Sequence, residues 1–294
     1  MPNPVQFGGS APAIRHHYDV GNDFYAGWLD ASMTYSCALW DGLAPDASLE
    51  EAQANKLRYH ARSIGARPGA RVLDVGCGWG SMLTALVRDH GAAQAVGLTL
   101  SENQHAFVER LGLPNTEVRL ESWADYRPER PFDGIVSIGA FEHFADPAQT
   151  RAERVAVYRA FFERCRSWLV PGGRLSLQTI AYGTLSPEQS NAFMTQSIFP
   201  NAELPYLSDI VLAAENVFEV RLVRNDGFDY ARTCEEWGRR LRRRAAAGVD
   251  EAERATYATY DRYLRLSSAG FRMGKIGLLR LAFVLPGWKA GASA

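Results

Sequence analysis

Short apolar segments of strand length alternate with helical segments through the middle of the chain. The strand-like segments are rich in β-branched and other apolar residues, and the segments between them show helical periodicity or helix-start signals. Strands that alternate with helices pair in parallel, because each crossover returns the chain to the same end of the sheet. The sequence therefore predicts an α/β fold with a doubly wound, mainly parallel sheet. The predicted strands are residues 71–75, 95–100, 118–121, 133–138 and 174–180, and the predicted helices are residues 81–89, a helix opened by a capping box at Ser101 and Gln104, and residues 151–169.

The segments on either side of this alternation predict a cap and a lid. Residues 1–15 are rich in Gly, Pro and Ala and predict a loose arm, whereas Ser48 and Glu51 form a capping box at the start of a helix. Residues 181–216 lack a clear period, so we expect an insertion that covers a binding site. The remaining pattern predicts a strand at 218–223, basic helices at about 233–247 and 251–267, and a core strand within 273–285.

Composition excludes several classes of protein. Of the 294 residues, 47% are apolar and 22% are charged, which is typical of a globular chain and not of a disordered one. The four cysteines form no C-x-x-C pair, so neither a disulfide framework nor a zinc site is indicated, and the reducing cytoplasm is the expected location. We find no apolar segment with the length of a membrane span or the character of a signal peptide.

The net charge of −1 hides an uneven distribution. Residues 231–294 carry 13 Lys and Arg against 6 Asp and Glu, a balance of +7, which leaves −8 for residues 1–230. The near-zero total does not indicate a nucleic-acid partner. Residues 239–244 (RRLRRR) have the composition either of a solvated helix face or of a surface that contacts an anionic substrate or a lipid surface.

A glycine-rich loop, DVGCGWG at residues 74–80, follows the first predicted strand, where open α/β sheets bind ligands. A nicotinamide site would need a third glycine at Ser81 and an acidic residue at Thr99, and a phosphate-binding loop would need a lysine that this segment lacks. Asp74, directly before the glycines, suits a cationic ligand such as S-adenosylmethionine. A tight turn without a ligand is the structural alternative.

Several motifs in a fixed order resemble one family. They are HYD at 17–19, DFY at 23–25, TYSC at 34–37, LDVGCGWG at 73–80, VGLTLSENQ at 96–104, VSIGAFEHF at 136–144, IFP at 198–200 with Leu204 and Pro205, and YART at 230–233 with Trp237. From about residue 16 to 281 the chain resembles the cyclopropane-fatty-acid synthase family, which includes the mycolic acid cyclopropane synthases. The resemblance implies a Rossmann-like class I methyltransferase fold with a seven-stranded sheet, and S-adenosylmethionine as the cofactor.

The resemblance also assigns cofactor contacts to positions in this chain. Trp123 would cover the adenine ring, with ordinary core packing as the structural alternative. Family members often have Glu after this tryptophan, whereas this chain has Ala124 followed by Asp125. The full set of expected cofactor residues adds Asp74 and Gly78 of the loop to the positions carried over, which are Tyr35, Ser36, Gly76, Thr99, Gln104, Trp123 and Ile138.

The family also holds bicarbonate, which is thought to act as a base, in a small site. The residues of that site fall on Cys37, Glu142, Gln178, Ile180 and Tyr230. Position 178 is histidine in the family, and glutamine can carry neither the proton nor the positive charge of histidine. Bicarbonate is therefore a doubtful cofactor for this chain, and the hypothesis is that the enzyme works without it.

Methyl transfer to a C=C bond leaves a carbocation that must be stabilised and must then lose a proton. A carboxylate at Glu142 and an aromatic face at Tyr230 could stabilise it. His143 is an alternative base near neutral pH, although no ligand cluster surrounds it and no metal is expected. Cys37 has no visible base to activate it, so a role in the pocket wall is favoured over a nucleophilic one.

The sequence thus predicts a C-methyltransferase of specialised metabolism whose acceptor is a small molecule with an electron-rich C=C bond or arene, such as an indole. One alternative is the unsaturated acyl chain of a lipid, methylated or cyclopropanated, which the basic segment favours. The alternative of another class is a non-catalytic cofactor-binding module. We expect an arm and helical cap over the cofactor in residues 1–65 and the methyltransferase domain in residues 66–294, and a homodimer is one option for assembly.

Overall fold

The structure, a computed structural model, describes residues 21–185 and 203–285. The helices in these ranges are α1 (Asn22–Ala26), α2 (Leu49–Ser63), α3 (Ser81–Arg88), α4 (Glu102–Arg110), α5 (Arg151–Trp168), α6 (Leu207–Ala214), α7 (Gly227–Ala246) and α8 (Glu251–Arg272), together with a 3₁₀ turn at Phe141–His143. The strands are β1 (Arg71–Val75), β2 (Gln94–Thr99), β3 (Thr116–Leu120), β4 (Phe132–Ile138), β5 (Leu169–Tyr182), β6 (Glu219–Asn225) and β7 (Ile276–Val284).

The strands form a seven-stranded sheet in the order β3-β2-β1-β4-β5-β7-β6. Strands β1 to β5 pair in parallel, and β7 runs antiparallel between β5 and β6. This arrangement confirms the predicted α/β, doubly wound, mainly parallel fold. The chain moves outward from β1 through β2 to β3 and then returns to β4 on the other side of β1. The crevice between the carboxyl ends of β1 and β4 is therefore the expected ligand site.

Local sequence signals explain where several helices begin. The predicted capping box at Ser48 and Glu51 is present, with both reciprocal hydrogen bonds. Only one of the two hydrogen bonds of the second predicted capping box, at Ser101 and Gln104, is present. The Ser101 hydroxyl accepts from the backbone N–H of Gln104, but the Gln104 side chain accepts a hydrogen bond from Thr99 and does not return to Ser101. This difference turns Gln104 toward the sheet edge where the ligand site is expected.

The predicted unpatterned segment, residues 181–216, differs from the structure at its described ends. Strand β5 extends to Tyr182, and α6 forms a helix that the sequence analysis did not predict. The side chains of Ile210, Ala213 and Ala214 of α6 are buried in the apolar core, so this end of the predicted insertion packs against the sheet domain. Residues 186–202, including the IFP motif, and residues 1–20 lie outside the described residues.

The two basic helices and the last strand are present. Helices α7 and α8 are longer than predicted, and the apolar segment near residue 280 is strand β7, with most of its residues buried. Among the described helices, none combines the length and the apolar composition needed to cross a membrane.

Alternating residues of β5 and β7 face opposite sides of the sheet. On one side Leu175, Leu177 and Phe283 join an apolar core under α5 and α6. On the other side lie the buried polar residues Gln178 and Arg280, beneath helices α2 and α7. A strand presents successive side chains to opposite faces, so the two cores are built from the same two strands.

Candidate active site

The glycine loop leaves β1 at the crevice between β1 and β4. Gly76 has φ 84°, and a Cβ atom there would lie 2.4 Å from the Cβ of Ala140, so only glycine fits between the two loops. Gly78 has φ 54° and faces open space, with no atom within 4 Å of an added Cβ. The loop backbone is thus close-packed on one side and accessible to a ligand on the other.

Asp74 presents a buried carboxyl group at this crevice. It is 2% exposed, and within residues 21–185 and 203–285 its Oδ1 accepts no hydrogen bond. Burial raises the pKa of Asp74 to about 7, while the positive charge of Lys56 acts in the opposite direction. A buried carboxyl oxygen without a partner is costly, and a cationic ligand would remove that cost.

Residues Tyr35 and Ser36 are held against the loop by α2. Gln53 Nε2 donates to the backbone carbonyl of Ser36 at 2.9 Å, and Lys56 Nζ donates to the Ser36 hydroxyl at 3.0 Å. The Tyr35 ring packs against Trp28 and Trp237, with centroids 5.4 Å and 5.3 Å away. Tyr35 and Ser36 are therefore fixed to α2 and α7 by both polar and aromatic contacts.

Further predicted cofactor residues lie along the same edge of the sheet. Thr99, at the end of β2, donates from Oγ1 to Gln104 Oε1 at 2.8 Å, and Ile138 is the last residue of β4. Trp123 is buried against Phe144 and Phe161, with centroids 5.2 Å and 5.3 Å away. This is the core packing that the structural alternative described, and a role of Trp123 in binding adenine stays a prediction.

Glu142 reaches from the turn after β4 to strand β5. The pairing of these strands ends at Ile138 and Gln178, so the N–H of Ile180 has no strand partner and donates to Glu142 Oε1 at 2.5 Å. Glu142 Oε2 is buried and has no hydrogen bond to any described residue. Burial raises the pKa of Glu142 to about 7, so this carboxyl group can exchange a proton near neutral pH.

Tyr230 of α7 lies close enough to Glu142 for their charges to interact. Its ring stacks on Phe271 with centroids 4.5 Å apart and meets Trp237 edge to face. Burial raises the pKa of Tyr230 well above its usual value, and a negative charge on Glu142 adds a smaller effect in the same direction. The phenol is therefore neutral and presents an aromatic wall.

A buried arginine, Arg280, contacts Gln178 and Cys37, two further residues of the bicarbonate site that the resemblance assigned. Arg280 is 0% exposed, donates from Nε to Gln178 Oε1 at 2.9 Å and from Nη2 to the carbonyl of Ala38 at 3.0 Å, and forms an ion pair with Asp226. Burial raises the pKa of the Cys37 thiol to about 12, despite the nearby guanidinium. The thiol is protonated, which agrees with a place in the wall and not with a nucleophile.

The orientation of the Gln178 amide follows from its neighbours. Arginine only donates, so the Gln178 atom that faces it is the oxygen, and His60 Nε2 lies 3.2 Å from the same oxygen. His60 must therefore donate from Nε2, and its Nδ1 accepts from Ser176 Oγ at 2.9 Å. Burial and the charge of Arg280 lower the pKa of His60 well below its usual value, so this imidazole is neutral. Gln178 Nε2 remains as a donor without a hydrogen bond to the described residues.

The sequence analysis missed Lys56, His60 and Arg280. Gln53, Lys56 and His60 lie on the apolar, buried face of α2. Polar residues at apolar positions of a helix are the sequence signal that could have indicated a buried polar site. Arg280 gave a similar signal, as a cation inside an apolar strand.

Other predicted features contribute less to this site. Burial lowers the pKa of His143 to about 4, which makes it a weak base at neutral pH. No group of three His, Cys, Asp or Glu side chains with metal-binding geometry occurs among the residues described. In the basic segment, Arg240 pairs with Glu50 and Arg242 pairs with Asp261, so part of its charge is neutralised within the molecule.

The residues at the crevice fit S-adenosylmethionine. The sulfonium and ammonium groups of this molecule are cations, and Asp74 offers a buried carboxyl oxygen without a partner. The backbone at Gly78 leaves space for a ligand, and the hydroxyl and amide groups of Ser36 and Gln104 lie at the same edge. When bound, the molecule would supply an electrophilic methyl group.

Comparison with known proteins gives one consistent result. The family model described as mycolic acid cyclopropane synthetase matches residues 9–281. Cyclopropane mycolic acid synthase 2 of Mycobacterium bovis is 36% identical over 279 residues, which cover 88% of this chain and 90% of that protein. Cyclopropane mycolic acid synthase 3 of Mycobacterium tuberculosis is 32% identical, covering 89% of this chain and 92% of the relative.

Solved structures agree with the family match. The cyclopropane synthase MmaA2 from Mycobacterium tuberculosis superposes with a TM-score of 0.82 at 29% identity, covering 94% of this chain and 99% of the other. The mycolic acid cyclopropane synthase CmaA1 complexed with SAH and CTAB gives a TM-score of 0.82 at 31% identity, covering 94% and 98%.

Proposed function

Because the chain belongs to the mycolic acid cyclopropane synthetase family of S-adenosylmethionine-dependent methyltransferases, we propose that its acceptor is the C=C bond of an unsaturated acyl chain in a lipid. The relatives at 32–36% identity are cyclopropane mycolic acid synthases and align over most of their length. This reverses the order that the sequence analysis favoured, in which a small molecule came first. The basic segment also supports an acceptor that is presented at an anionic surface, although part of its charge is paired.

The observation that carries the chemistry is the buried carboxyl of Glu142. One of its oxygens is fixed by the N–H of Ile180, and the other has no partner within the described part of the chain. When a C=C bond attacks a methyl group, one of its carbons becomes cationic. An ionised Glu142 would stabilise that charge in a site of low dielectric, and Tyr230 would present its ring face.

The same carboxyl group can accept the proton that the cation must lose. Its pKa of about 7 lets it take up a proton and release it to solvent near neutral pH. Loss of the proton from the new methyl group closes a cyclopropane ring, whereas loss from a neighbouring carbon leaves a methylated alkene. The orientation of the acyl chain against Glu142 decides between these products.

A small, electron-rich acceptor is the second candidate, and Gln178 is the observation that favours it. The glutamine amide is neutral, so it cannot give a charge-assisted hydrogen bond to an anionic base such as bicarbonate. An indole-like acceptor would need less help, because its nitrogen delocalises the cation. For this candidate we expect the same rate in carbonate-free buffer and after addition of bicarbonate, whereas a strong dependence on bicarbonate would favour the lipid acceptor.

The experiment supplies the full-length protein with S-adenosylmethionine carrying a labelled methyl group. The acceptors are vesicles of an unsaturated phospholipid, matched vesicles of the saturated phospholipid, and free indole. We expect label in the unsaturated acyl chain only, with a mass gain of one CH2 unit that Glu142→Gln abolishes or strongly reduces. Proton NMR then separates a cyclopropane ring from a methyl branch. Label in indole and none in the unsaturated lipid would overturn the proposal in favour of the second candidate.

A further inference from the structure

Lys56 is a buried cation that the proposed chemistry does not use. It lies on the inner face of α2, is 1% exposed, and reaches Ser36, whose Cβ lies 3.9 Å from the position of a Cβ built at Gly139, directly after β4. Its Nζ makes one hydrogen bond to the described residues, to Ser36 Oγ at 3.0 Å. An ammonium group has three N–H donors, so two of them lack a partner in the described part of the chain.

The direction of this hydrogen bond fixes the role of the serine. Because an ammonium can only donate, Ser36 Oγ accepts from Lys56, and its own O–H is free to donate elsewhere. Lys56 and Ser36 together therefore offer several donors and a positive charge at one point of a buried site. This combination is complementary to a carboxylate.

An opposite charge lies nearby without neutralising it. Asp30 raises the pKa of Lys56 more than Asp74 does, but Asp30 already accepts hydrogen bonds from Ser32 and Thr34. No ion pair joins Lys56 to Asp74 in the described structure, and Asp74 Oδ1 has no hydrogen bond to the described residues. The crevice is thus bordered by a cation with unused donors and an anion with an unused acceptor. The amino-acid end of S-adenosylmethionine is a zwitterion, with one carboxylate and one ammonium.

We propose that Lys56 and Ser36 bind the carboxylate of the amino-acid end of S-adenosylmethionine, while Asp74 binds its ammonium. The inference deepens the cofactor part of the function and does not depend on which acceptor is methylated. Desolvation lowers the pKa of Lys56 to about 8, a cost that a bound carboxylate would offset. The position of Lys56 on α2 also links cofactor binding to the N-terminal cap.

The test compares two ligands that differ only at the amino-acid end. S-adenosylhomocysteine has the carboxylate and the ammonium, and 5′-methylthioadenosine has neither. Titration calorimetry measures the Kd of both for the wild type and for Lys56→Met, which keeps the length of the side chain and removes its charge. We expect the affinity for S-adenosylhomocysteine to fall by about 10- to 100-fold, as for loss of a charged hydrogen bond, with the affinity for 5′-methylthioadenosine unchanged.

Two further variants keep the test decisive. Ser36→Ala leaves the lysine in place, and we expect a smaller loss that is again confined to S-adenosylhomocysteine, so the question is answered even where Lys56→Met does not fold. Lys275→Met, a lysine in the connection between α8 and β7, is the matched control and should leave both affinities unchanged. Equal losses for the two ligands, or no loss for S-adenosylhomocysteine, would overturn the proposal. Since no acceptor is present, failure here is distinct from failure of the lipid proposal.

Discussion

The two faces of the sheet are packed with different chemistry, although the same strands supply both. Beneath α5 and α6 the core is hydrocarbon, and its rings are mainly phenylalanines such as Phe141, Phe161 and Phe162. Beneath α2 and α7 the buried rings are mainly tyrosines and tryptophans, and Arg280 and Gln178 are buried beside them. The first face stabilises the fold by burial of apolar area, and the second presents polar groups to ligands.

This difference has an energetic consequence. Burying charge is expensive, and even a well-paired buried ion pair adds little to stability over an apolar replacement. Arg280 and Lys56 are therefore poor candidates for the origin of the molecule's stability. We infer that the hydrocarbon face offsets the cost of the polar face.

The largest expected effect is on the hydrocarbon face. Phe162 is fully buried and contacts the ring of Phe283, so Phe162→Ala should lower the free energy of unfolding by about 3–5 kcal/mol through lost burial and a cavity. Denaturant titration measures this, and calorimetry should give an unchanged Kd for S-adenosylhomocysteine. The control is Phe228→Ala, at a ring that is 70% exposed, which should change the stability by less than about 0.5 kcal/mol. A similar loss in both variants would contradict the assignment of stability to this face.

The next effect is on the polar face and concerns turnover. Glu142→Gln keeps the shape of the side chain and removes its charge, so kcat should fall by about 100-fold or more, equivalent to about 2.7 kcal/mol of transition-state stabilisation. Cofactor affinity and the free energy of unfolding should not fall. Glu163→Gln, at an exposed position on α5, is the matched control. A near-normal kcat in Glu142→Gln would reassign this carboxyl to structure.

A third effect is the dependence of stability on pH. The pKa values of Glu142 and Asp74 are raised to about 7 in the folded state, so the folded protein binds more protons than the unfolded chain above their unfolded pKa values. Each of these carboxyl groups should therefore lower the stability as the pH rises from about 4 to 7, by up to about 1.4 kcal/mol per pH unit, whereas His60 and His143, whose pKa values are lowered by burial, act in the opposite direction. Denaturant titrations across this range should show the stability of Glu142→Gln rising relative to that of the wild type as the pH increases. Parallel curves would mean that Glu142 is ionised at low pH in the folded protein.

The smallest expected effect concerns the link between the cap and the C-terminal helices. Tyr25 of α1 and Tyr260 of α8 share a buried hydrogen bond of 2.8 Å between their hydroxyl groups. Tyr25→Phe should cost about 1 kcal/mol of stability, because the hydrogen bond between the two hydroxyl groups is lost. A double-mutant cycle with Tyr260→Phe isolates the pair, and additive losses would show that the two hydroxyls do not interact in solution.

Much of the fold was predictable because its signals are local. The apolar patterns of β1 to β5 and the helix cap at Ser48 depend on neighbouring residues, and the bounds of these elements were predicted to within a few positions. Helix α6 was missed because its eight residues give only about two turns of pattern. The predicted lid lies largely outside the described residues and stays a prediction.

The glycine loop and Asp74 were predictable from the residues themselves, and the rest of the site only where the resemblance supplied it. Glu142 and Tyr230 came from matched motifs, and the structure brings them together. The contacts of Arg280 could not be predicted, because its partners Gln178 and Cys37 lie 102 and 243 residues away in the sequence. The role of Lys56 depends on the fold placing Ser36 and Asp74 on either side of it, which no local pattern specifies.

The position of β7 also affects how the chain folds. This strand is the last described element, yet it lies between β5 and β6, and its Arg280 binds the backbone carbonyl of Ala38 near the start of the described chain. Contacts so distant in sequence form slowly, because a large loop must close before they contribute. During synthesis, strands β1 to β5 can pair as soon as they emerge, but β6 has no neighbour in the sheet until residues 276–284 arrive. The part of the candidate site that includes Arg280 is therefore complete only after β7 has paired, and until then the edges of β5 and β6 are open to wrong strand partners.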